Sequence, residues 1–289
     1  MGAARLLSRG IMATPSPSPA ARARGCLLGL AAGHTLGLPP ELRGTPEATG
    51  NLALALIQAE DLLEPEIDLE RLALRWVKWR ESDGRGLSPW TRIALDHVAT
   101  HHSPPAESGG VADSGALPRT IPVALATAGS PANLVSGSFH LAHLLHPDAR
   151  CGWGAVAVNV AVAWFLQGER DFIPEVLQAL TANSAPDELV AAVRRVPLEK
   201  RTALPLEGSA PGSVVSSVEI ALWLAYHERN LEQGLEWLVG AGGDDTNAAV
   251  AGALMGARDG EQAIPQRWLA EIVGIDRVRR IADRLAGSS

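Results

Sequence analysis

Apolar residues recur at three- and four-residue intervals through most of the chain, which places them on one face of an α-helix. Segment 68–81 (DLERLALRWVKWRE) has this pattern. Segment 88–102 (SPWTRIALDHVATHH) repeats it after Ser88, a typical N-cap residue, and a proline at the first helical position. The alternating pattern of strands, bounded by hairpin turns, is missing. The sequence therefore predicts an all-α fold.

Four segments consist largely of small and apolar residues, namely 25–38, 151–166, 214–225 and 246–257. A helix that is apolar on most faces belongs at the centre of a bundle, where small side chains let neighbouring backbones approach closely. In the first segment, glycines recur every four residues, on one helix face, at positions 25, 29, 33 and 37. We expect these segments to form the core of a single compact helical bundle.

The organisation of the chain indicates one domain. After residue 24 we find no linker long enough to separate two domains and no repeat of the kind that forms a solenoid. Before it, the segment MGAARLLSRGIMATPSPSPAARAR alternates proline with serine and lacks a continuous apolar run, which predicts a disordered arm rather than a secretory signal. The expected division is an arm at 1–24 and an all-α domain at 25–289, with Met1 or Met12 as the start of translation.

Composition excludes several classes of protein. The net charge of −7 over 289 residues argues against non-specific nucleic-acid binding, which uses a basic surface. The apolar run 151–166 is shorter than the roughly 18 residues of a membrane span and contains Asn159, so it predicts a buried helix. Cys26 and Cys151 lie in apolar surroundings outside any C-x-x-C pair, as expected for buried thiols of a cytoplasmic protein.

The segment GGDDTNAAVAGAL (242–254) is the first candidate for chemistry. An aspartate at a helix N-cap accepts backbone N–H groups and complements the helix dipole, which explains one of the two acids. The adjacent carboxylates of Asp244 and Asp245 repel each other when partly buried, and a bound cation would relieve this repulsion. The segment is consistent with a capped helix and with a metal site that includes Thr246.

Histidines are the second candidate. His97 and His101 are four residues apart on one predicted helix, a spacing compatible with zinc, and three more histidines follow at 140, 143 and 146. The glutamate of an H-E-x-x-H motif is missing, so we interpret most of these histidines as surface or core residues. Phosphate-binding glycine loops, the G-x-S-x-G motif and the dinucleotide fingerprint are also missing, which argues against kinases, esterases and dehydrogenases.

Four segments carry motifs of one known family. The first helix reads GCLLGLAAGHTLG and is followed by Glu41, and a late segment reads GGDDTNAAVAGALMGA. Between them lie DSGALPRTIP (113–122) and HLLHPDAR (143–150). In this order they resemble the motifs G-x-L-x-G-x-A-x-G-D-A-L-G, G-N-G-x-L-M-R-x-x-P, T-H-x-x-P and G-G-D-x-D-T of the ADP-ribosylglycohydrolases, which include the enzyme that reactivates ADP-ribosylated nitrogenase reductase. The resemblance spans 25–275 and implies the family's single orthogonal helical bundle.

The resemblance also implies metal-assisted chemistry. Family members hold two magnesium ions between an early T-D-D motif and the late D-x-D-T motif, with a glutamate after the first helix. Glu41 matches this glutamate, and Asp244, Asp245 and Thr246 match the late motif with one residue fewer. Such ions hold ribose hydroxyls and orient water against the anomeric carbon of an oxocarbenium-like transition state.

Several positions depart from the family. The residues expected at the T-D-D motif, before the helix that begins NLALAL, are Glu47, Ala48 and Thr49, and His34 stands where the family has an aspartate. The remaining carboxylates are too few for two magnesium ions, each of which needs several oxygen ligands. We expect at most one weakly bound Mg²⁺, held by Glu41, Asp244, Asp245 and Thr246.

The sequence therefore predicts a protein that binds ADP-ribose or a related nucleotide and has weak or absent hydrolase activity. One alternative is an active ADP-ribosyl glycosidase that uses one metal or none, with Glu41 or Asp245 as general base. Another is a non-catalytic interaction protein. An ADP-ribosylated protein is the expected macromolecular partner, and neither nucleic acid nor membrane is expected. By resemblance, the ligand is expected to contact Asp113, Ser114, Gly115, Arg119, His146, Gly242 and Gly243.

Overall fold

The computed structural model describes residues 16–42, 48–206 and 213–287. Its α-helices are α1 (Pro19–Gly37), α2 (Gly50–Asp61), α3 (Leu69–Ser82), α4 (Pro89–His101), α5 (Ala116–Thr120), α6 (Pro122–Thr127), α7 (Pro131–His143), α8 (Ala149–Leu166), α9 (Ile173–Ala182), α10 (Asp187–Arg195), α11 (Val214–His227), α12 (Leu231–Gly240), α13 (Asp245–Asp259), α14 (Gln266–Leu269) and α15 (Ile275–Gly287). Short 3-10 turns lie at Pro40–Leu42, Arg201–Ala203 and Glu261–Ala263. Within the described ranges the only β-type pairing is an isolated bridge between Asp113 and Ser213, so the all-α prediction is confirmed.

Local capping signals start the helices where they were predicted. The Asp68 carboxylate accepts a hydrogen bond from the Arg71 N–H at 3.0 Å, which caps α3. The Ser88 hydroxyl accepts one from the Thr91 N–H at 3.1 Å, and Pro89 is the first residue of α4. Each cap satisfies a backbone donor that the helix itself leaves without a partner.

The centre of the bundle is the antiparallel pair α1 and α13. Every fourth residue of α1 lies against the backbone of α13, pairing Gly25 with Gly256, Gly29 with Gly252, Gly33 with Ala248 and Gly37 with Asp245. A methyl group on Gly29 would lie 2.1 Å from the carbonyl oxygen of Gly252, far inside any allowed contact. The two backbones are therefore in direct contact, as the glycine spacing predicted.

Helix α8 is a core helix that packs against α7, α9, α11 and α13. Its central Asn159 donates hydrogen bonds to the Ser138 hydroxyl at 2.9 Å and the Thr120 carbonyl at 3.0 Å. By length and composition α8 is the one described helix that could cross a membrane, but 72% of it is buried inside the bundle. This burial is what the sequence predicted for the run 151–166.

The two cysteines are buried free thiols, as predicted. Burial raises the pKa of Cys151 to about 12 and also raises the pKa of Cys26. Both thiols are therefore protonated at neutral pH and serve as small apolar side chains of the core.

The structure moves the predicted start of the domain. Helix α1 begins at Pro19, after Ser18, whose hydroxyl accepts a hydrogen bond from the Ala21 N–H at 3.2 Å. The buried Arg22 guanidinium donates to the Arg258 carbonyl at 2.5 Å, which ties this turn to the end of α13. Residues 19–24, assigned above to the arm, are therefore part of the bundle, whereas 1–15 lie outside the described residues.

Replacing Gly29 with alanine should lower the free energy of unfolding by about 3 kcal/mol, the upper range for overpacking, because the added methyl group meets backbone atoms of α13. Gly240→Ala is the matched control, since Gly240 ends α12 and a methyl group there meets nothing within 4 Å. The control should change stability by less than about 1 kcal/mol. Chemical denaturation measures both variants, and equal stabilities would contradict the close backbone contact.

Candidate functional site

The contact between α1 and α13 brings the last turns of α1 beside the N-termini of α2 and α13. His34, near the end of α1, is 2% exposed. Its Nε2 lies 3.2 Å from the hydroxyl of Thr49, the N-cap residue of α2. Its Nδ1 lies 3.1 Å from Asp245 Oδ2, close enough for an ion pair although not aligned for a hydrogen bond. One imidazole thus contacts the starts of two helices.

A tight turn positions the start of α2. Gly50 has a φ of 52°, and a Cβ there would lie 2.5 Å from the Gly86 carbonyl oxygen, so glycine is required on both counts. At the next residue, the Asn51 Nδ2 lies 3.5 Å from the Thr246 hydroxyl. The Asn51 Oδ1 is buried and has no hydrogen-bond partner among the described residues. Sequence reasoning missed Asn51, and its position two residues after Thr49 is the signal that could have identified it.

Asp113 lies in the loop before α5. Its Oδ1 accepts hydrogen bonds from the Gly115 N–H at 2.7 Å and from His146 Nε2 at 3.2 Å. Burial alone would raise the pKa of Asp113, but hydrogen bonds from His146, Gly115 and Ser88 bring it below its ordinary value. The carboxylate is therefore ionised at neutral pH. The Gly115 Cα lies against the amide of Asn51, which joins this loop to the start of α2.

His146 and Arg119 form a fully buried polar pair behind Asp113. The Arg119 guanidinium can only donate, and it contacts His146 Nδ1 at 2.8 Å, so the ring proton is on Nε2 and is donated to Asp113. Burial and then the Arg119 charge lower the pKa of His146 to about 4, so the ring is neutral at pH 7. Arg119 is held in turn by carbonyl groups of Gly115 and Ala142, each at 3.0 Å.

The two adjacent aspartates have different partners. Asp244 caps α13, because its Oδ1 accepts a hydrogen bond from the Asn247 N–H at 2.8 Å. Asp244 is exposed on one side, but the protein around the carboxyl group partly desolvates it and raises its pKa. The negative charges of Asp245 and Asp113 raise this pKa further. Asp245 contacts His34 instead. The motif therefore supplies one helix cap and one partner of a buried histidine.

The described residues do not include three His, Cys, Asp or Glu side chains arranged to hold a metal ion. Glu41, predicted to join Asp244 and Asp245 in such a site, is exposed on the turn Pro40–Leu42. His97 and His101 have ring centroids 4.4 Å apart on α4. Neither the pair His97 and His101 nor the pair Asp244 and Asp245 has a third side chain placed to complete a metal site among the described residues.

The other residues predicted from the family motifs differ in their surroundings. Ser114 is buried, and Gly243 packs against Leu238, where a Cβ would lie 2.7 Å from that side chain. Gly242 is exposed and has a φ of 95°, a conformation that favours glycine. Ala48 has no side-chain atom that could bind a metal, and Glu47 lies outside the described residues.

Two cavities of the described residues differ in their relation to these groups. An apolar cavity of about 170 Å³ between α3 and α4 is lined by carbon-rich side chains and has Glu70 and His102 as its titratable groups. A smaller cavity of about 30 Å³ borders His34 and Thr49. The second of these borders His34, which contacts Asp245 at the start of α13, so we take this region as part of the candidate site.

Comparisons with known proteins agree with the motifs. The ADP-ribosylglycohydrolase family profile matches residues 15–289. The chain is 28% identical to the ADP-ribosyl-[dinitrogen reductase] glycohydrolase of Rhodospirillum rubrum, over 93% of this chain and 97% of that protein. It is 29% identical to an uncharacterized protein of Archaeoglobus fulgidus, over 91% and 95% of the two chains.

The fold agrees as well. A solved structure described as an ADP-ribosylglycohydrolase-related protein complex superposes with a TM-score of 0.77 at 28% identity, covering 94% of this chain and 99% of that one. The helical bundle and its motif-bearing helix ends thus define a glycohydrolase-type protein. This chain belongs to the ADP-ribosylglycohydrolase family, as the resemblance predicted.

Acid should destabilise the protein through His146. The unfolded state binds the ring proton near pH 6.5 and the folded state only near pH 4, so the stability present above pH 6.5 is lost as the pH falls toward 4. The expected loss between pH 7 and pH 5 is about 2 kcal/mol. Urea denaturation at both pH values measures it. His146→Gln should show a smaller drop, and an equal drop in both proteins would contradict this assignment.

Proposed function

We propose that this protein binds ADP-ribose or a related nucleotide where the end of α1 meets the starts of α2, α5 and α13, without a pair of magnesium ions. Family membership supports the class of ligand. The absence of a magnesium pair is proposed from one observation: each of three carboxylates of the site already contacts another group of the protein. Asp113 contacts His146, Asp245 contacts His34, and Asp244 caps α13.

Few oxygen ligands are free for magnesium, which requires near-octahedral coordination. Thr49 contacts His34 and Asn51 contacts Thr246, so the start of α2 faces the late motif. None of the residues at this start, Thr49, Gly50 and Asn51, carries a negative charge, and unneutralised cations are costly to bury.

The same groups suit the hydroxyls of a ribose. The ionised Asp113 carboxylate can accept hydrogen bonds from neighbouring hydroxyls, and charge-assisted hydrogen bonds of this kind are strong. The buried Asn51 Oδ1 has no partner among the described residues, so a ligand hydroxyl that donates to it would relieve a desolvation cost. The relative from Rhodospirillum rubrum acts, by its name, on ADP-ribosylated dinitrogen reductase. An ADP-ribosylated protein is therefore the partner we propose.

A second candidate function is slow, metal-independent ADP-ribosyl glycosidase activity. Cleavage of a glycosidic bond uses a general acid and a base or nucleophile near the anomeric carbon. Asp113 has a lowered pKa and Asp244 a raised one, and opposite shifts of two nearby carboxylates are typical of such a pair. Without metal ions to orient water, we expect turnover to be weak or absent.

Isothermal titration calorimetry with ADP-ribose tests binding. We expect equal affinity in magnesium chloride and in EDTA. Asp113→Asn should weaken binding about tenfold or more, because it removes the charge from the ligand's hydrogen bonds. Gly287→Ala, at the C-terminal end of α15 where a methyl group meets nothing within 4 Å, is the control and should bind normally. Binding that requires magnesium would contradict the metal-free site, and no binding in either buffer would favour an interaction protein without this ligand.

Hydrolysis is tested by release of ADP-ribose from arginine-, serine- or acetyl-linked substrates. Any turnover should persist in EDTA and should be lost in Asp244→Asn, because this variant cannot donate the proton that the leaving group needs. Thermal unfolding checks that the variant is folded. Fast turnover that EDTA abolishes would identify a metal-dependent enzyme and reject both candidate functions as stated.

A further inference from the structure

His34 of α1 contacts both helix starts of the site. It is 2% exposed, and Thr49 beside it is 1% exposed, so the contact is shielded from solvent. Its two ring nitrogens lie 3.2 Å from the Thr49 hydroxyl and 3.1 Å from Asp245 Oδ2. The neighbouring Gly33 and Gly37 fix this part of α1 against α13. The position of the ring is therefore determined by backbone contacts on both sides of it.

A metal ion and this ring cannot both occupy the space between α2 and α13. An ion there would coordinate Asp245 and the Thr49 hydroxyl, which are the two groups that the imidazole already contacts. Mg²⁺ ligand distances are about 2.0–2.1 Å, so an ion placed between the ring and either oxygen would lie about 1 Å from a ring nitrogen, which is sterically impossible. The residues present thus do not fit the cation that the family motifs imply at this position.

We propose that His34 is an internal bridge that takes the place of a bound cation, connecting Thr49 at the start of α2 to Asp245 at the start of α13. His34 is in this sense a positioning residue: it holds the two helix starts in their arrangement before any ligand binds. The proposal concerns the protein alone and does not depend on ADP-ribose being the ligand.

A second observation indicates how the bridge can be exchanged for a metal. Asn51 is 3% exposed, and its Oδ1 is buried without a partner among the described residues. Aspartate has the same shape as asparagine, so N51D adds a charged oxygen ligand there without changing the packing. H34D removes the ring and adds a second carboxylate. Together with Asp245, the double variant H34D/N51D would offer three carboxylates to one cation, the ligand type that Mg²⁺ prefers.

The test is thermal unfolding in EDTA and in magnesium chloride, with sodium chloride matched for ionic strength. The wild type should show no magnesium-specific change in Tm. H34D/N51D should unfold at a lower temperature in EDTA and gain about 5 °C or more in magnesium, as expected for an ion that binds the folded state only. H34A should also lose stability, but magnesium should not restore it. A magnesium response in H34D/N51D but not in H34A indicates that the ring occupies the place of a cation. A histidine that only stabilises the fold would not produce this difference.

H101D is the matched control, because it introduces the same substitution at an exposed histidine of α4 and should not respond to magnesium. A magnesium-specific rise in the Tm of the wild type would overturn the proposal. So would a folded H34D/N51D variant without a magnesium response. If circular dichroism shows the double variant unfolded in both buffers, H34D alone is judged by the same criterion. None of these measurements uses nucleotide, so their failure is distinct from a failure of ADP-ribose binding.

Discussion

The direct backbone contact between α1 and α13 is the constraint on which the rest of the structure depends. Glycines at every fourth position of α1 bring the two helix axes closer than any side chain would allow. This contact continues to the end of α1, where Gly37 lies against Asp245. The position of His34 relative to the late D-D-T motif is therefore fixed by the core, and the site has the rigidity of the bundle centre.

From this contact outward, the polar groups of the site contact one another, although His34 Nδ1 and Asn51 Oδ1 have no hydrogen-bond partner among the described residues. The neutral His146 accepts a hydrogen bond from the buried Arg119 and donates one to Asp113. His34 lies between Thr49 and Asp245. Buried polar groups are tolerated when they are paired in this way. These contacts occupy carboxylate oxygens that a cation would otherwise bind, which is why we propose a ligand rich in hydroxyl groups.

The fold was predictable from the sequence because its determinants are local. Helical periodicity, the caps at Asp68 and Ser88, and the glycine spacing of α1 each act over a few residues, and the structure has all three. The site was predictable only in part. Asp113 and His146 were identified separately, but their contact joins loops 33 residues apart, which no short spacing encodes. Asn51 was missed because the motif was sought at Glu47, Ala48 and Thr49, before the helix, and not two residues after Thr49.

One boundary predicted from the sequence shifts in the structure. Proline and serine before residue 24 suggested disorder, yet Ser18 and Pro19 are a cap and a first helical residue, and Arg22 is buried against α13. Glu41 is exposed on the turn Pro40–Leu42, and its metal-binding role stays a prediction. His34 stood out in the sequence only as a departure from the family, and its role depends on contacts with two other helices.

We propose that this site is formed by the protein's own contacts and not by a pair of metal ions. Crystals soaked in ADP-ribose and manganese chloride test it most directly, because Mn²⁺ replaces Mg²⁺ and gives an anomalous signal. We expect nucleotide density beside Asp113 and Asn51, with the imidazole of His34 in place and no anomalous peak between α2 and α13. Two strong anomalous peaks coordinated by Asp244 and Asp245, with His34 displaced, would contradict it.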